Sequence, residues 1–114
     1  MVMVESRQKK AAFLRECVRQ LDLTRTSVES GRFEDLLAKT GFLGTADVVT
    51  LRAVKVDVPM LAEVQAFLKP GGHLFLFTSA SQANVGSPSQ LAFEATHPLL
   101  PQMGSQLDVL RKVG

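Results

Sequence analysis

Two charged residues stand where strand-like apolar runs end, and that placement gives them a chemical reading. The chain opens MVMVES, so Glu5 follows four apolar residues, and DVVTLR brings Arg52 to the end of another apolar run. A carboxylate at the tip of a buried strand is a nucleotide-site feature, and open α/β sheets bind their ligands at the carboxyl ends of their strands. The phosphate-cradling glycine loop that accompanies such an acid usually lies about 20 residues before it. Only four residues precede Glu5. Arg52, a charge closing an apolar strand, is read as a ligand contact rather than as core. Pro70-Gly71-Gly72 resembles a phosphate loop, but it follows a helical pattern and precedes a strand. No helix N-terminus points at it, so it is read as a turn.

The remaining reactive side chains are sparse. One cysteine, Cys17, rules out an internal disulfide and argues against a secreted scaffold. Its spacing to Phe13, Leu14, Val18 and Leu21 makes it a small hydrophobe on an apolar helix face. His73 and His97 lie far from it in sequence, so no metal cluster can be read. Six basic residues (Arg7, Lys9, Lys10, Arg15, Arg19 and Arg25) fall in the first quarter, a solvated helix face that is also able to track phosphates.

The elements that must position these residues can be read from periodicity. The 114 residues make one domain at most, with 46% hydrophobic and 21% charged residues and a net charge of +2. That is ordinary for a soluble globular chain and too apolar for disorder. Val2–Val4 reads as a strand and Ser6 as the N-cap of a helix running from Arg7 to about Leu21. TSVES is a short strand, GRFEDLLAK a glycine turn and short helix, and ADVVTLRAV a strong strand. Asp57-Val58-Pro59 opens a helix with Met60, Leu61, Val64, Phe67 and Leu68 on one side, ended by KPGG. HLFLFT is a strand, SASQANVGSPSQ a polar loop, and 91–96 and 106–112 form a closing antiparallel pair joined by HPLLPQMGS. Strands alternating with helices imply a parallel, doubly wound sheet. The initial apolar stretch is too short for a signal peptide and no segment reaches the length of a membrane span, which makes the cytosol the expected compartment.

That order, with VMVES-RQKK-AAFLREC, GRFEDL, DVVTLRAV, the Arg52-Ala53 dipeptide, FLKPGGHLFLF and the final SQLDVLRK, resembles the Rossmann-like S-adenosylmethionine-dependent methyltransferases. More narrowly it resembles the RsmG family, also called glucose-inhibited division protein B, bacterial enzymes that methylate N7 of a guanine in 16S ribosomal RNA. The resemblance implies an α/β methyltransferase sheet over residues 1–114, running from the family's second strand to its final strand and ending in an antiparallel pair. The first strand and glycine-rich loop would lie before residue 1. It implies S-adenosyl-L-methionine as cofactor, with Glu5 accepting hydrogen bonds from the ribose hydroxyls. The family more often has aspartate at that position. Phe33 and Glu34 match the segment where the adenine sits, and Arg52 matches a family arginine at the carboxyl end of its strand, which the resemblance gives either the cofactor's carboxylate or an RNA phosphate to contact.

The resemblance further implies a bacterial, cytoplasmic protein acting on 16S ribosomal RNA or the small ribosomal subunit, without a membrane partner. No catalytic acid, base or metal is expected, because guanine N7 carries a free lone pair and the methyl group arrives activated. Without the first strand, two inner strands lose a neighbour and must pair elsewhere, a route to self-association. The chain alone is therefore expected to be inactive. The alternatives are a non-catalytic remnant or interaction module of the same fold, and a methyltransferase acting on a small molecule.

Overall fold

Apolar and β-branched runs become strands, and the segments with helical spacing between them become helices. The computed structural model describes residues 1–52, 56–79, 88–100 and 104–113. They fall into two units, Met1–Ala38 and Lys39–Gly114. Ala53 of the arginine-alanine dipeptide, most of the polar stretch after Ser79 (80–87) and part of the HPLLPQMGS connection (101–103) lie outside the described residues.

In the first unit, β1 (Val2–Glu5) and β2 (Ser27–Ser30) pair in parallel, from Val2 opposite Ser27 to Glu5 opposite Ser30. The crossover between them is α1 (Gln8–Gln20). The N-cap is Arg7, not Ser6, and the Arg7 amide donates to Glu5 Oε1 at 3.1 Å. This is a local bond to the amide of the N-cap residue itself, and the first turn of α1 receives no side-chain cap. The inward stripe of α1 also differs from expectation. Ala11 is fully buried, with Leu14 and Val18 half-buried three and seven residues on, the spacing of one helix face. Phe13 and Leu21 are 68% and 69% exposed, and Cys17 is half-buried. Arg15 ties the helix to β2, donating to the Val28 carbonyl at 3.2 Å and to Ser30 Oγ at 2.7 Å. Beyond β2, α2 (Phe33–Leu37) buries Leu36.

The second unit is a four-stranded sheet in the order β3-β4-β6-β5, formed by β3 (Ala46–Arg52), β4 (Leu68–Ser79), β5 (Leu91–Leu100) and β6 (Ser105–Lys112). β3 and β4 are parallel; β6 runs antiparallel to both its neighbours. The crossover helix α3 (Val58–Val64) starts as expected: the Asp57 side chain accepts from the Met60 amide at 2.8 Å and Pro59 occupies the first turn. It stops earlier than expected, giving way to a 3₁₀ turn (Gln65–Phe67) before β4 begins at Leu68.

The KPGG segment therefore belongs to β4, as a bulge in the strand. Ala46 pairs with Leu68 and Val48 with His73, leaving Asp47 against Lys69–Gly72. Gly71 has φ +84°, and a Cβ on Gly72 would lie 2.9–3.1 Å from the carbonyl oxygens of Lys69, Asp47 and Ala46. Leu74, Leu76 and Leu110 are buried on one sheet face, and Leu61 and Val64 of α3 are buried with Leu68 in the same unit. Burial of each such side chain contributes about 1.5–3 kcal/mol. β5 extends past its expected end at Thr96 to Leu100 and carries Pro98, which an edge strand tolerates.

The strands form a parallel pair and a separate four-stranded mixed sheet that ends in the expected antiparallel pair. Among the described residues β1 has only β2 as a hydrogen-bonded neighbour, and β3 only β4.

Candidate functional site

The carboxyl end of the β1–β2 pair gathers three of the four residues singled out in the sequence. Glu5 closes β1 opposite Ser30, and the Gly31 amide donates to its carbonyl at 2.9 Å. The chain then turns into α2, whose first two residues are Phe33 and Glu34. Glu5 is half-buried; Oε1 is held by the Arg7 amide and Oε2 has no partner among the described residues. A carboxylate fixed through one oxygen presents the other as a strong, oriented acceptor for a hydroxyl. Phe33 is half-buried and able to offer a ring face or edge, while Glu34 is exposed in the first turn of its helix, beside Asp35.

Arg52 ends β3 in the other unit and is exposed. Its guanidinium lies 5.5 Å from the centroid of the Phe77 ring, which β3–β4 pairing places directly opposite. The cation–π contact orients the side chain, and among the described residues no hydrogen bond or ion pair engages its donors. Of the basic residues in the first quarter of the sequence, Arg15 is spent on β2 and Arg19 on Glu16. The hydrogen bonds from Arg19, and then from Gln20, hold the Glu16 carboxyl below the usual carboxylate range.

Two polar groupings in the second unit escaped the sequence reading. His73, Glu94 and Arg111 form a surface network, with Glu94 contacting His73 Nε2 at 3.2 Å and accepting from Arg111 Nε at 2.9 Å. On the core-facing side of β6, Asp108 is only 8% exposed. Its Oδ1 accepts from Thr96 Oγ1 at 2.8 Å and from Gln106 Nε2 at 3.0 Å. Apolar residues in SQLDVLRK occur on both alternations, so the two-residue period did not reveal which side chains point inward. Among the described residues no group of His, Cys, Asp and Glu is arranged to hold a metal ion, and no helix is long and apolar enough to cross a membrane.

Comparison with known proteins narrows what this arrangement belongs to. Residues 1–96 match the family model of rRNA small subunit methyltransferase G, GidB. The chain is 35% identical over 79 residues to the ribosomal RNA small subunit methyltransferase G of Acidothermus cellulolyticus, covering 69% of this chain and 33% of that protein. It is 39% identical over 74 residues to the protein of the same name from Sorangium cellulosum, covering 65% and 30%. The chain thus spans about a third of the length of the curated relatives it matches. Among solved structures, yhhF of Escherichia coli, described as a candidate methyltransferase, superposes with a TM-score of 0.80 at 8% identity, covering 99% of this chain and 64% of that one. A mutant of MtNAS in complex with S-adenosylmethionine superposes with a TM-score of 0.70 at 12% identity, covering 99% and 45%. At these identities the superpositions establish the fold.

Proposed function

The chain belongs to the rRNA small subunit methyltransferase G family, and from that premise we propose that it forms part of a cytoplasmic, S-adenosylmethionine-dependent enzyme that methylates N7 of a guanine in 16S ribosomal RNA. Residues 1–114 are read as the second to the final strand of the catalytic domain. The observation that carries the proposal is Glu5: a strand-end carboxylate held through one oxygen, with Phe33 and Glu34 entering the same sheet end. Those groups fit a nucleoside. Glu5 Oε2 would accept from ribose hydroxyls, and Phe33 would lie against the adenine beside Glu34. When bound, the cofactor supplies an activated sulfonium methyl group as the electrophile.

The work left to the chain is placement. Guanine N7 has a lone pair and attacks without prior deprotonation, so no side chain needs to serve as general base. Rate enhancement then comes from holding nucleophile and methyl in line and excluding water. Arg52, held over Phe77 at the carboxyl end of β3, is proposed to bind an RNA phosphate or the cofactor carboxylate.

These 114 residues alone are proposed not to turn over RNA. β1 and β3 each have one described strand neighbour, and by the family resemblance the missing neighbour carries the glycine-rich loop. Two measurements test the reading. The chain is joined behind the corresponding upstream segment of the Acidothermus relative. S-adenosylhomocysteine is titrated calorimetrically into the joined protein and into its Glu5→Gln variant, which is expected to bind more weakly; equal binding would remove Glu5 from the cofactor site. The joined protein is also given 16S ribosomal RNA with labelled S-adenosylmethionine. Formation of 7-methylguanine by the joined protein alone is the expected result. Steady methylation by the 114-residue chain would overturn the claim of inactivity, and methylation of small metabolites but not RNA would overturn the choice of substrate.

A further inference from the structure

Asp108 stands at a position that the alternation of its sheet assigns to an apolar side chain. On that face its cross-strand partner in β4 is the buried Leu76, and two residues along β6 is the buried Leu110. It is 8% exposed, yet its partners are the neutral donors Thr96 and Gln106, and no cation among the described residues pairs with it. Burying a carboxylate without a counter-charge is costly. A fold that breaks its own pattern at such cost usually does so at a functional position.

The hydrogen-bond inventory around Asp108 says what is wanted there. Both donors converge on Oδ1, leaving Oδ2 without a partner among the described residues. Gln106 donates through its nitrogen, and its amide oxygen also has no described partner. The next residue on the same face of β4 is Thr78, directly opposite Gln106, and its Oγ1 is buried with no hydrogen-bond partner. The row is therefore rich in unused acceptors. It lies at the carboxyl end of β4, where open sheets take their ligands. Thr96, on the edge strand, is exposed and leaves that row open to solvent on one side.

We infer that Asp108, with Gln106 and Thr78, accepts hydrogen bonds from the N1–H and 2-amino group of the target guanine. This rests on the proposed guanine-N7 reading and adds a specificity-determining residue to it. Guanine's Watson–Crick edge offers two adjacent donors, whereas adenine's places an acceptor beside one donor. RNA bases splayed from a single strand are commonly read on that edge. Holding N1 and the 2-amino group turns the opposite edge of the purine, where N7 lies, outward and free to receive a methyl group. Arg52 projects from the other sheet face, as its partner Phe77 does, so it does not neutralise Asp108.

The test uses the 114-residue chain and free nucleotides. Guanosine, inosine and adenosine 5′-monophosphates are titrated against the isotope-labelled protein, and backbone amide shifts are followed by NMR. Guanosine monophosphate is expected to shift the amides of Thr78, Gln106 and Asp108 saturably, with weaker binding by inosine monophosphate, which lacks the 2-amino group, and none by the adenosine nucleotide. Asp108→Asn keeps an acceptor for Thr96 but turns an amide donor toward the base. It is expected to lose about tenfold in affinity or more, as one good base contact is worth. Equal binding of guanosine and adenosine nucleotides, unchanged binding by Asp108→Asn, shifts confined to other residues, or no saturable shift at all would each overturn the inference. The nucleotide comparison on the unmutated chain stands even where the variant does not fold. In the joined protein, guanine methylation unaffected by Asp108→Asn removes this inference and leaves the guanine-N7 reading intact. Guanosine binding at Asp108 without RNA methylation leaves a guanine contact there and removes the guanine-N7 reading.

Discussion

Replacing Gly72 by alanine separates a structural glycine from a ligand-cradling one. The added Cβ would sit 2.9 Å from the Lys69 carbonyl oxygen, 3.0 Å from that of Asp47 and 3.1 Å from that of Ala46. All three are backbone atoms, so relief requires the bulge between β3 and β4 to shift. Overpacking of this kind costs about 1–3 kcal/mol, and loss of glycine's freedom in the unfolded chain returns about 0.4–1 kcal/mol. The net expectation is a loss of about 1–2 kcal/mol, a fall in urea midpoint of roughly 1 M. Gly71→Ala has open space around it but φ +84°, and left-handed backbone costs about 1–2 kcal/mol against the same return. Gly41→Ala meets nothing within 4 Å and serves as the neutral control. Urea unfolding followed by circular dichroism should rank the variants Gly41→Ala most stable, then Gly71→Ala, then Gly72→Ala. A Gly72→Ala protein as stable as Gly41→Ala would refute the steric argument. If phosphate raised the midpoint of the unmutated protein and not that of Gly72→Ala, the turn would be an anion site after all.

Leu74→Ala, which empties a fully buried position in the central strand β4, should cost about 2–5 kcal/mol in the same unfolding assay. Asp57→Ala removes the acceptor of the Met60 amide at the start of α3 and should cost about 1 kcal/mol, with Asp57→Ser restoring most of it. The Glu16 carboxyl is held below its ordinary range by Arg19 and Gln20. Its contribution to α1 is therefore present above the unfolded-state value and is lost as pH falls through the lowered folded value. Helix content of Glu16→Gln should show less pH dependence across that acid limb than the unmutated chain, and added salt should narrow the difference. In the joined protein, Arg52→Ala should weaken RNA binding, lower its salt slope by about one and leave S-adenosylhomocysteine binding unchanged. The opposite pattern would assign Arg52 to the cofactor carboxylate.

What could be read from the sequence, and what could not, follows from where the determining interactions lie. The strand of β3 and the cap of α3 were legible because an uninterrupted apolar run and an Asp-Val-Pro start are local signals, decided within a few residues. The start of α1 was not. Ser6 has the right chemistry for a cap, but the helix starts one residue later, at an Arg7 whose side chain makes no cap bond and whose amide donates to Glu5. The KPGG bulge was misread as a helix stop because its geometry is fixed by Ala46 and Asp47, more than twenty residues away, whose carbonyls crowd Gly72. Asp108 was invisible for a related reason: which parity of β6 is buried follows from its pairing with β4, where Asp108 stands opposite the buried Leu76. Glu5 is the instructive middle case. Its position at a strand end was local information, so its candidacy could be read. Its structural use as the acceptor for Arg7 could not, and that use has a consequence for any test of its role. Glu5→Ala removes the helix-start bond together with the free oxygen, so lost cofactor binding would be ambiguous. Glu5→Gln keeps an acceptor for Arg7 and replaces the free Oε2 with a donor. If Glu5 binds ribose hydroxyls, Glu5→Gln should match the unmutated chain in thermal unfolding and still bind S-adenosylhomocysteine at least about tenfold more weakly in the joined protein, the scale of one hydrogen bond to a charged acceptor. Equal affinity in a protein of equal stability would leave Glu5 with its bond to the Arg7 amide alone.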